Sequence, residues 1–430
     1  MSENPSDFFA VHEKICKFFL LIPPKNPALR RVFWTMVSPH LFLIMCPPIM
    51  EFLQIVVGGT GNFSSDMLIF AVLMMHGMAV GRLIGYLMNR RHHGYILRSF
   101  RRSTFHFELF KYSNLMFLRQ KNKELPNKRP HIIDTYKTNV MRLADAFCFR
   151  WLCILIISVF SCLFVTYVVN SQTATYEKFN PKLNRTSVYR DYAYALWYPF
   201  DTSVSDGFYY IGFFYQPYAF FMLMSSYMCI FMFNLGCVIY LKSHANVVGY
   251  SFKFIDQNID EMMSYNEVMS LKEIRIVKCI NELQEIYKCA SLINNILANQ
   301  MLLQIFFVGL ITCIVIYRVE SVKTIGEIVY LTIMTVVFIL LGFFMCWYNQ
   351  EFTLEIMNIS KSVHELEWNT YSARLLKTLI FLMARLQKPF YFTLGQWTPI
   401  DIGAFLVTIK MSYSFYTLIR TRGYKRQNIN

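Results

Sequence analysis

The chain has 430 residues, 55% of them hydrophobic and only 16% charged, and a formal net charge of +15. Soluble domains carry about 25% charged residues, so this balance excludes an ordinary soluble domain and asks for lipid as the solvent. The basic excess does not by itself indicate nucleic acid, because membrane proteins also concentrate Lys and Arg in cytoplasmic loops.

Residues 1–31 read as a cytoplasmic N-terminal segment. Lys14, Lys17 and Lys25 surround a short apolar run, which cannot span and has no cleavage site after it. A crossing helix needs about 20 mostly apolar residues. Seven candidates follow, at 32–57, 67–88, 147–169, 208–241, 301–317, 325–348 and 400–419. Residues 32–348 thus hold transmembrane helices one to six. Residues 349–398 form a segment on one side, and 399–430 hold the seventh helix and a short tail. An eighth apolar stretch, 375–386, carries Arg374, Lys377 and Arg385 at helical spacing and reads as an amphipathic helix beside the membrane.

Charge chooses the orientation. With the N-terminus inside, inner segments hold 29 Lys and Arg and outer segments 10, as the positive-inside rule requires. The sequons at Asn62 and Asn184 fall in outer loops and are candidate glycosylation sites, whereas that at Asn358 falls inside. All 11 cysteines lie in spans or inner segments and read as small buried hydrophobes rather than disulfides. The expected fold is an all-α membrane protein of seven transmembrane helices in inverted topology, with the N-terminus cytoplasmic and the C-terminus extracellular.

On the inner side, 266–317 has no Pro or Gly before Gly309 and reads as one helix. Its 52 residues would reach about 78 Å, far beyond the bilayer's need. Ile276, Ile280, Leu283, Tyr287 and Ala290 recur at three- and four-residue steps, so a cytoplasmic extension near 266–300 is amphipathic. The amphipathic stretch 371–388 lies on the same side. The two suggest a cytoplasmic helical bundle; a helix lying on anionic lipid is the other reading of 371–388. The basic loop 89–146 is explained by inner-leaflet lipid without a nucleic-acid partner.

No Walker loop, GxSxG elbow, HExxH or CxxC pair occurs. His92 and His93 point different ways on a helix and read as part of a solvated basic loop. No enzyme activity, metal or cofactor is expected. Arg82 and Arg150 sit where they can snorkel. Lys410 is mid-span, would be costly facing lipid, and makes the last span a candidate pore lining.

The stretch Gln387-Lys388-Pro389, then Gly395-Gln396-Trp397-Thr398-Pro399-Ile400, then Phe405 to Ile419 with its Ser412-Tyr413-Ser414 run, closely resembles the C-terminal pattern of insect odorant receptors. Tyr198-Pro199-Phe200-Asp201 resembles that family's second outer loop. Only the C-terminal motif is specific; the likeness elsewhere is one of layout.

The resemblance implies a ligand-binding subunit, not the co-receptor, of an odorant-gated non-selective cation channel. It would assemble as a heterotetramer with an odorant co-receptor subunit in the plasma membrane of olfactory sensory neuron dendrites. The anchor maps to 271–299 and 371–388. The last span would line the pore through Lys410, Tyr413, Tyr416, Thr417 and Arg420, with Leu418 the alternative to Tyr416 at the constriction.

A volatile, apolar ligand would bind in the outer half of spans two to six. Topology offers Phe70, Leu73 and Met74 on span two and Phe160, Phe164 and Tyr167 on span three. Phe213, Phe214, Tyr218 and Phe221 follow on span four, and Tyr330 and Met334 on span six. Nothing in the residues separates a pheromone from a plant volatile. A gustatory receptor of the same superfamily would end in a Thr-Tyr run followed by Gln. A G-protein-coupled receptor would have the opposite orientation and motifs absent here. A transporter would show internal repeats.

Overall fold

The computed structural model describes residues 16–17, 21–24, 26–58, 63–102, 175–180, 185–190, 196–202, 205–253, 255–256, 264–321 and 325–427. Among these, six helices are long and apolar enough to cross a bilayer. The span expected at 147–169 lies outside the described residues.

The first span is bent. Helices α1 (Pro27–Met45) and α2 (Pro47–Gly58) meet at Cys46, where Pro47 and Pro48 bring no N–H to the helical ladder. The Asn26 side chain caps α1 by accepting from the Ala28 N–H at 3.0 Å. Only 17% of this span is buried, and Leu29, Met36 and Phe42 face outward, as suits a helix bathed in lipid. The second span is α3 (Phe63–Met88), followed at once by α4 (Arg90–Arg102). A hairpin of β1 (Thr175–Asn180) and β2 (Arg185–Arg190) then stands in the loop before the fourth span; hydropathy gave no hint of it.

Helix α5 (Asp206–Lys253) is the centre of the molecule. Its 48 residues would reach about 72 Å, and 94% of its apolar window is buried. Around it pack α6 (Tyr265–Ser321), with 57 residues, and α7 (Ile325–His364), with 40. The sixth span therefore runs 16 residues past its expected end at Tyr348. Phe352, Ile356, Ile359 and Val363 continue the buried stripe, while Glu351 and Glu355 meet α5 through Lys242 at 2.8 Å and Asn246 at 2.9 Å.

After a short 3-10 turn comes α8 (Ala373–Leu386), whose N-cap Ser372 accepts from the Leu375 N–H. Leu375, Leu379, Leu382 and Leu386 form its buried face and join the core shared with α7. Arg385 lies over the Tyr287 ring at 4.7 Å, and Arg374 approaches Glu273 of α6. The leucine face of α8 is thus spent on the protein itself, while Ile380 and Phe381 stay exposed. The long ends of α5, α6 and α7, with α8, make up what is here termed the bundle end.

The bundle connects to the last helix through strands β3 (Thr393–Leu394) and β4 (Thr398–Pro399). The turn between them places Gly395 at φ 54° and Gln396 at φ 71°. Asn294 of α6 holds it by accepting from the Thr393 N–H at 2.8 Å, and the Gly395 N–H reaches the Ala298 carbonyl at 3.1 Å. A Cβ on Gly395 would sit 2.9 Å from Leu302 Cδ2. Gly395→Ala therefore meets both a backbone penalty and a clash. It is expected to destabilise the protein by about 1–2 kcal/mol, read as a lower midpoint of thermal unfolding in detergent; an unchanged midpoint would refute the tight docking.

Helix α9 (Ile402–Gln427) is the seventh span. Asp401 caps it by accepting from the Ala404 N–H at 2.7 Å, and Gln350 of α7 accepts from the Ile402 N–H at 3.0 Å. The helix runs on to Gln427, so most of the tail expected from residue 420 is helical.

Candidate ligand-binding and pore elements

The expected pocket residues fall into three groups. Phe70, Leu73 and Met74 are half-buried on α3, as are Phe213 and Phe221 on α5. Phe214 is 64% exposed, because α5 turns Ala219, Phe220 and Leu223 inward and carries Phe214 to the opposite side. Phe214 thus stands apart from the half-buried candidates. Tyr218 also faces outward, where its hydroxyl meets His40 Nδ1 of α1 at 2.6 Å. Phe160, Phe164 and Tyr167 lie outside the described residues. Tyr330 and Met334 are on α7, but their side chains are not described.

What does join the first, second and fourth spans is a pair that sequence reading passed over. Glu51 of α2 and His76 of α3 are both fully buried, with Oε1 and Nδ1 2.5 Å apart. The His76 ring lies edge-on to Phe220 of α5 at 5.5 Å. Nearby, the Tyr215 hydroxyl donates to the Leu43 carbonyl at 2.8 Å. An acid inside a span was itself the missed signal.

Arg82 does not snorkel. It is buried, donates to Gln304 of α6, and its guanidinium lies 4.8 Å from the Tyr227 ring and 5.2 Å from the Phe231 ring of α5. Two desolvated cation–π contacts contribute about 2 kcal/mol each, which offsets part of the cost of burying the charge. One turn further along, a Cβ on Gly85 would come within 2.8 Å of the Gln300 amide, so α3 and α6 approach closely there. His93, expected in a solvated loop, is likewise buried; only His92 is exposed.

The last span is the least covered of the six described spans: 6% of it is buried. One face packs inward, with Ser412 and Thr408 against Gly309 of α6 and Phe405 against Phe343 of α7 at 5.7 Å. Lys410, Tyr413 and Leu418 are exposed, and Thr417 is half-exposed. Tyr413 lies beside Tyr416, with ring centroids 6.1 Å apart. Tyr416 and Arg420 turn back onto α6, where the Tyr416 hydroxyl donates to Glu320 Oε2 at 3.0 Å and Arg420 reaches Oε1 at 3.0 Å. Such exposed contacts contribute little. Glu320→Ala is expected to lower stability by no more than about 1 kcal/mol in detergent. A drop above about 2 kcal/mol would show that this latch is desolvated.

The sequon residues Asn62 and Asn184 lie outside the described residues. The described cysteines are buried or half-buried; burial pushes the Cys279 thiol up to about 12. Among the described residues no group of acidic, His and Cys side chains could hold a metal ion.

A profile of the 7tm Odorant receptor family matches residues 96–413. Putative odorant receptor 92a of Drosophila melanogaster is 22% identical over 238 residues, which cover 55% of this chain and 56% of that protein. Odorant receptor 10 of Aedes albopictus is 23% identical over 148 residues, 34% of this chain and 40% of that one. The chain thus matches about half the length, or less, of these relatives. The olfactory receptor OR5 of Machilis hrabei superposes with a TM-score of 0.71 over 96% of this chain and 99% of that one at 12% identity. Its complex with eugenol gives 0.72 over the same shares. The profile covers well over half of the sequence, and the superposition spans nearly all of both chains. With its apolar helices and its C-terminal motif, the chain is a multi-pass, seven-helix membrane protein that belongs to the insect odorant receptor family.

Proposed function

We propose that this chain is the ligand-binding subunit of an odorant-gated, non-selective cation channel formed with a co-receptor subunit. Its N-terminus and bundle end would be cytoplasmic, and its site of action the dendritic membrane of olfactory neurons. The observation that carries the reading is the state of α9. A helix only 6% buried with a lysine on its open face is poorly suited to lipid. Copies of that helix around a water-filled axis would give Lys410, Tyr413 and Leu418 a solvent and a partner. The half-buried aromatic and Met side chains of α3 and α5 suit an apolar volatile, and the eugenol complex of the related receptor supports the ligand class. The bundle of α6 and α8 would hold the subunits together. Co-expression with a co-receptor and a panel of volatiles should give odorant-evoked cation current without G-protein signalling. Current that needs a G protein, or substrate transport without channel openings, would sink the reading.

A further inference from the structure

Where α1 begins and α3 passes into α4, arginines of two elements come together. Arg90, the first residue of α4, holds its guanidinium 5.0 Å from the Trp34 ring of α1. Arg30 and Arg31 stand four and three residues before Trp34, so they share the face that Trp34 turns to α4. Arg91 and Arg98 flank Tyr95 on one exposed face of α4. The opposite face, with His93, Ile96 and Phe100, is buried.

Among the described residues nothing answers this charge. Arg30, Arg31, Arg91 and Arg98 are exposed, and Arg90 is half-buried. None of them enters an ion pair there. Arg98 donates through Nε to the Gly94 carbonyl at 3.0 Å, which holds its guanidinium beside α4. The only acids in residues 26–102 are Glu51 and Asp66. Glu51 is closed on His76, and Asp66 lies in the first turn of α3, at the far end of that helix. A patch of one sign with no internal counter-charge attracts an anionic partner.

The surroundings identify that partner as lipid. Val32 and Met36 of α1 and Ile84 and Met88 of α3 lie on the membrane side of the arginines and are exposed, as suits contact with acyl chains. Trp34 and Tyr95 suit the interface above them. Helix α4 then leaves the bilayer alongside α5: His93 meets Phe233 at 5.5 Å, and Phe100 meets Tyr240 at 4.4 Å, so both helices advance by the same seven residues. Arg91 and Arg98 are therefore about 10 Å apart along that path. The headgroup layer is only about 5–8 Å deep. A single phosphodiester would reach Arg91 and stop short of Arg98; a headgroup with further phosphates reaches both. Guanidinium forks take phosphate oxygens two at a time.

We propose that this corner binds an anionic phospholipid whose headgroup carries several phosphates, with Arg90 and Arg91 at the phosphodiester and Arg30, Arg31 and Arg98 around the outer phosphates. The lipid would tie the first span, only 17% buried, to α4. With the orientation proposed above, its leaflet is the cytoplasmic one, where anionic lipids are enriched. The binding itself depends neither on that orientation nor on the odorant reading, because the test offers the lipid on both faces of the membrane.

The test uses the full chain in phosphatidylcholine nanodiscs, with a fluorescent phosphatidylinositol bisphosphate as probe. That probe should bind about tenfold or more tightly than fluorescent phosphatidylserine. Arg30→Gln with Arg31→Gln, and separately Arg91→Gln with Arg98→Gln, should weaken it about fivefold for each arginine removed. Either pair suffices if the other does not fold. Arg374→Gln with Lys377→Gln on α8 removes as much exposed charge and should leave binding unchanged. A bisphosphate lipid with a diazirine on its acyl chain should label peptides containing residues 32–36 or 84–88. Equal binding of the two lipids, an equal loss from the α8 pair, or label confined to other peptides would each overturn the assignment. So would free inositol trisphosphate binding as tightly as the lipid, which would mark a site for a soluble anion, or no binding of the bisphosphate probe.

Discussion

Asp256→Ala is expected to lower the unfolding free energy by about 3–5 kcal/mol, the usual effect of removing one member of a largely buried charged pair. Asp256 sits between α5 and α6, and its carboxylate gathers three elements. Lys272 of α6 approaches Oδ1 at 2.8 Å. The Tyr371 hydroxyl, just before α8, donates to both carboxylate oxygens at 2.8 Å. The Glu367 N–H reaches Oδ2 at 3.4 Å. Lys272 is 5% exposed, and its remaining neighbours are the Thr370 hydroxyl at 3.2 Å and the Tyr371 ring. Without Asp256 its ammonium is left with weak partners. Tyr371→Phe removes one hydrogen bond and should cost about 1 kcal/mol. Burial, and then the bond to Asp256, hold the Tyr371 phenol above its ordinary range, so it stays a donor throughout the physiological range. Thermal unfolding of the purified chain would check the order: Asp256→Ala well below Asp256→Asn, and Tyr371→Phe the mildest. Equal effects of Tyr371→Phe and Asp256→Ala would remove the argument that the charge matters.

Hydropathy reads spans well because lipid imposes one rule on every backbone group within it. It reads helix ends poorly because that rule stops at the interface. The sixth span shows this. Glu351, Glu355 and Lys361 lower the hydropathy after Tyr348, yet the buried period of Phe352, Ile356, Ile359 and Val363 continues unbroken. The carboxylates of Glu351 and Glu355 meet Lys242 and Asn246 of α5. The amphipathic stripes of α6 and α8 were legible for the complementary reason: outside lipid, apolar residues at helical spacing have to find protein.

Side-chain placement was less legible. An aromatic residue in a span can face outward as well as a cavity, and Phe214 is exposed. A lone charge gives no sign of its company. Arg82 finds Tyr227, Phe231 and Gln304, residues remote in sequence that only the packing of three helices brings together. His93 differs from His92 only in which way it points from α4. On the last helix, spacing put Tyr413, Tyr416 and Arg420 on one face, but it gave no sign that Glu320 of α6 meets Tyr416 and Arg420 there.

Breaking the Glu51–His76 pair should produce the other large effect, and it reports on the half of the bundle read as the ligand pocket. Both side chains are fully buried, so whichever of them holds the shared proton, removing one leaves the other without its partner in an apolar setting. Glu51→Leu and His76→Leu are each expected to destabilise the chain by about 3 kcal/mol. The double replacement should do less harm than the sum, because two leucines remove both polar groups together and leave no orphan. A coupling of about 1.5 kcal/mol or more in that cycle, measured by thermal unfolding in detergent, is the expected result. The pair fastens α2 to α3 beside Phe220, and α2 belongs to a span that is only 17% buried, the lowest among the described spans after α9. The single variants should therefore also reduce delivery to the cell surface, with the double variant recovering part of it. Strictly additive losses would mean that the two side chains act through separate neighbours, and the first span would then need another explanation for its position.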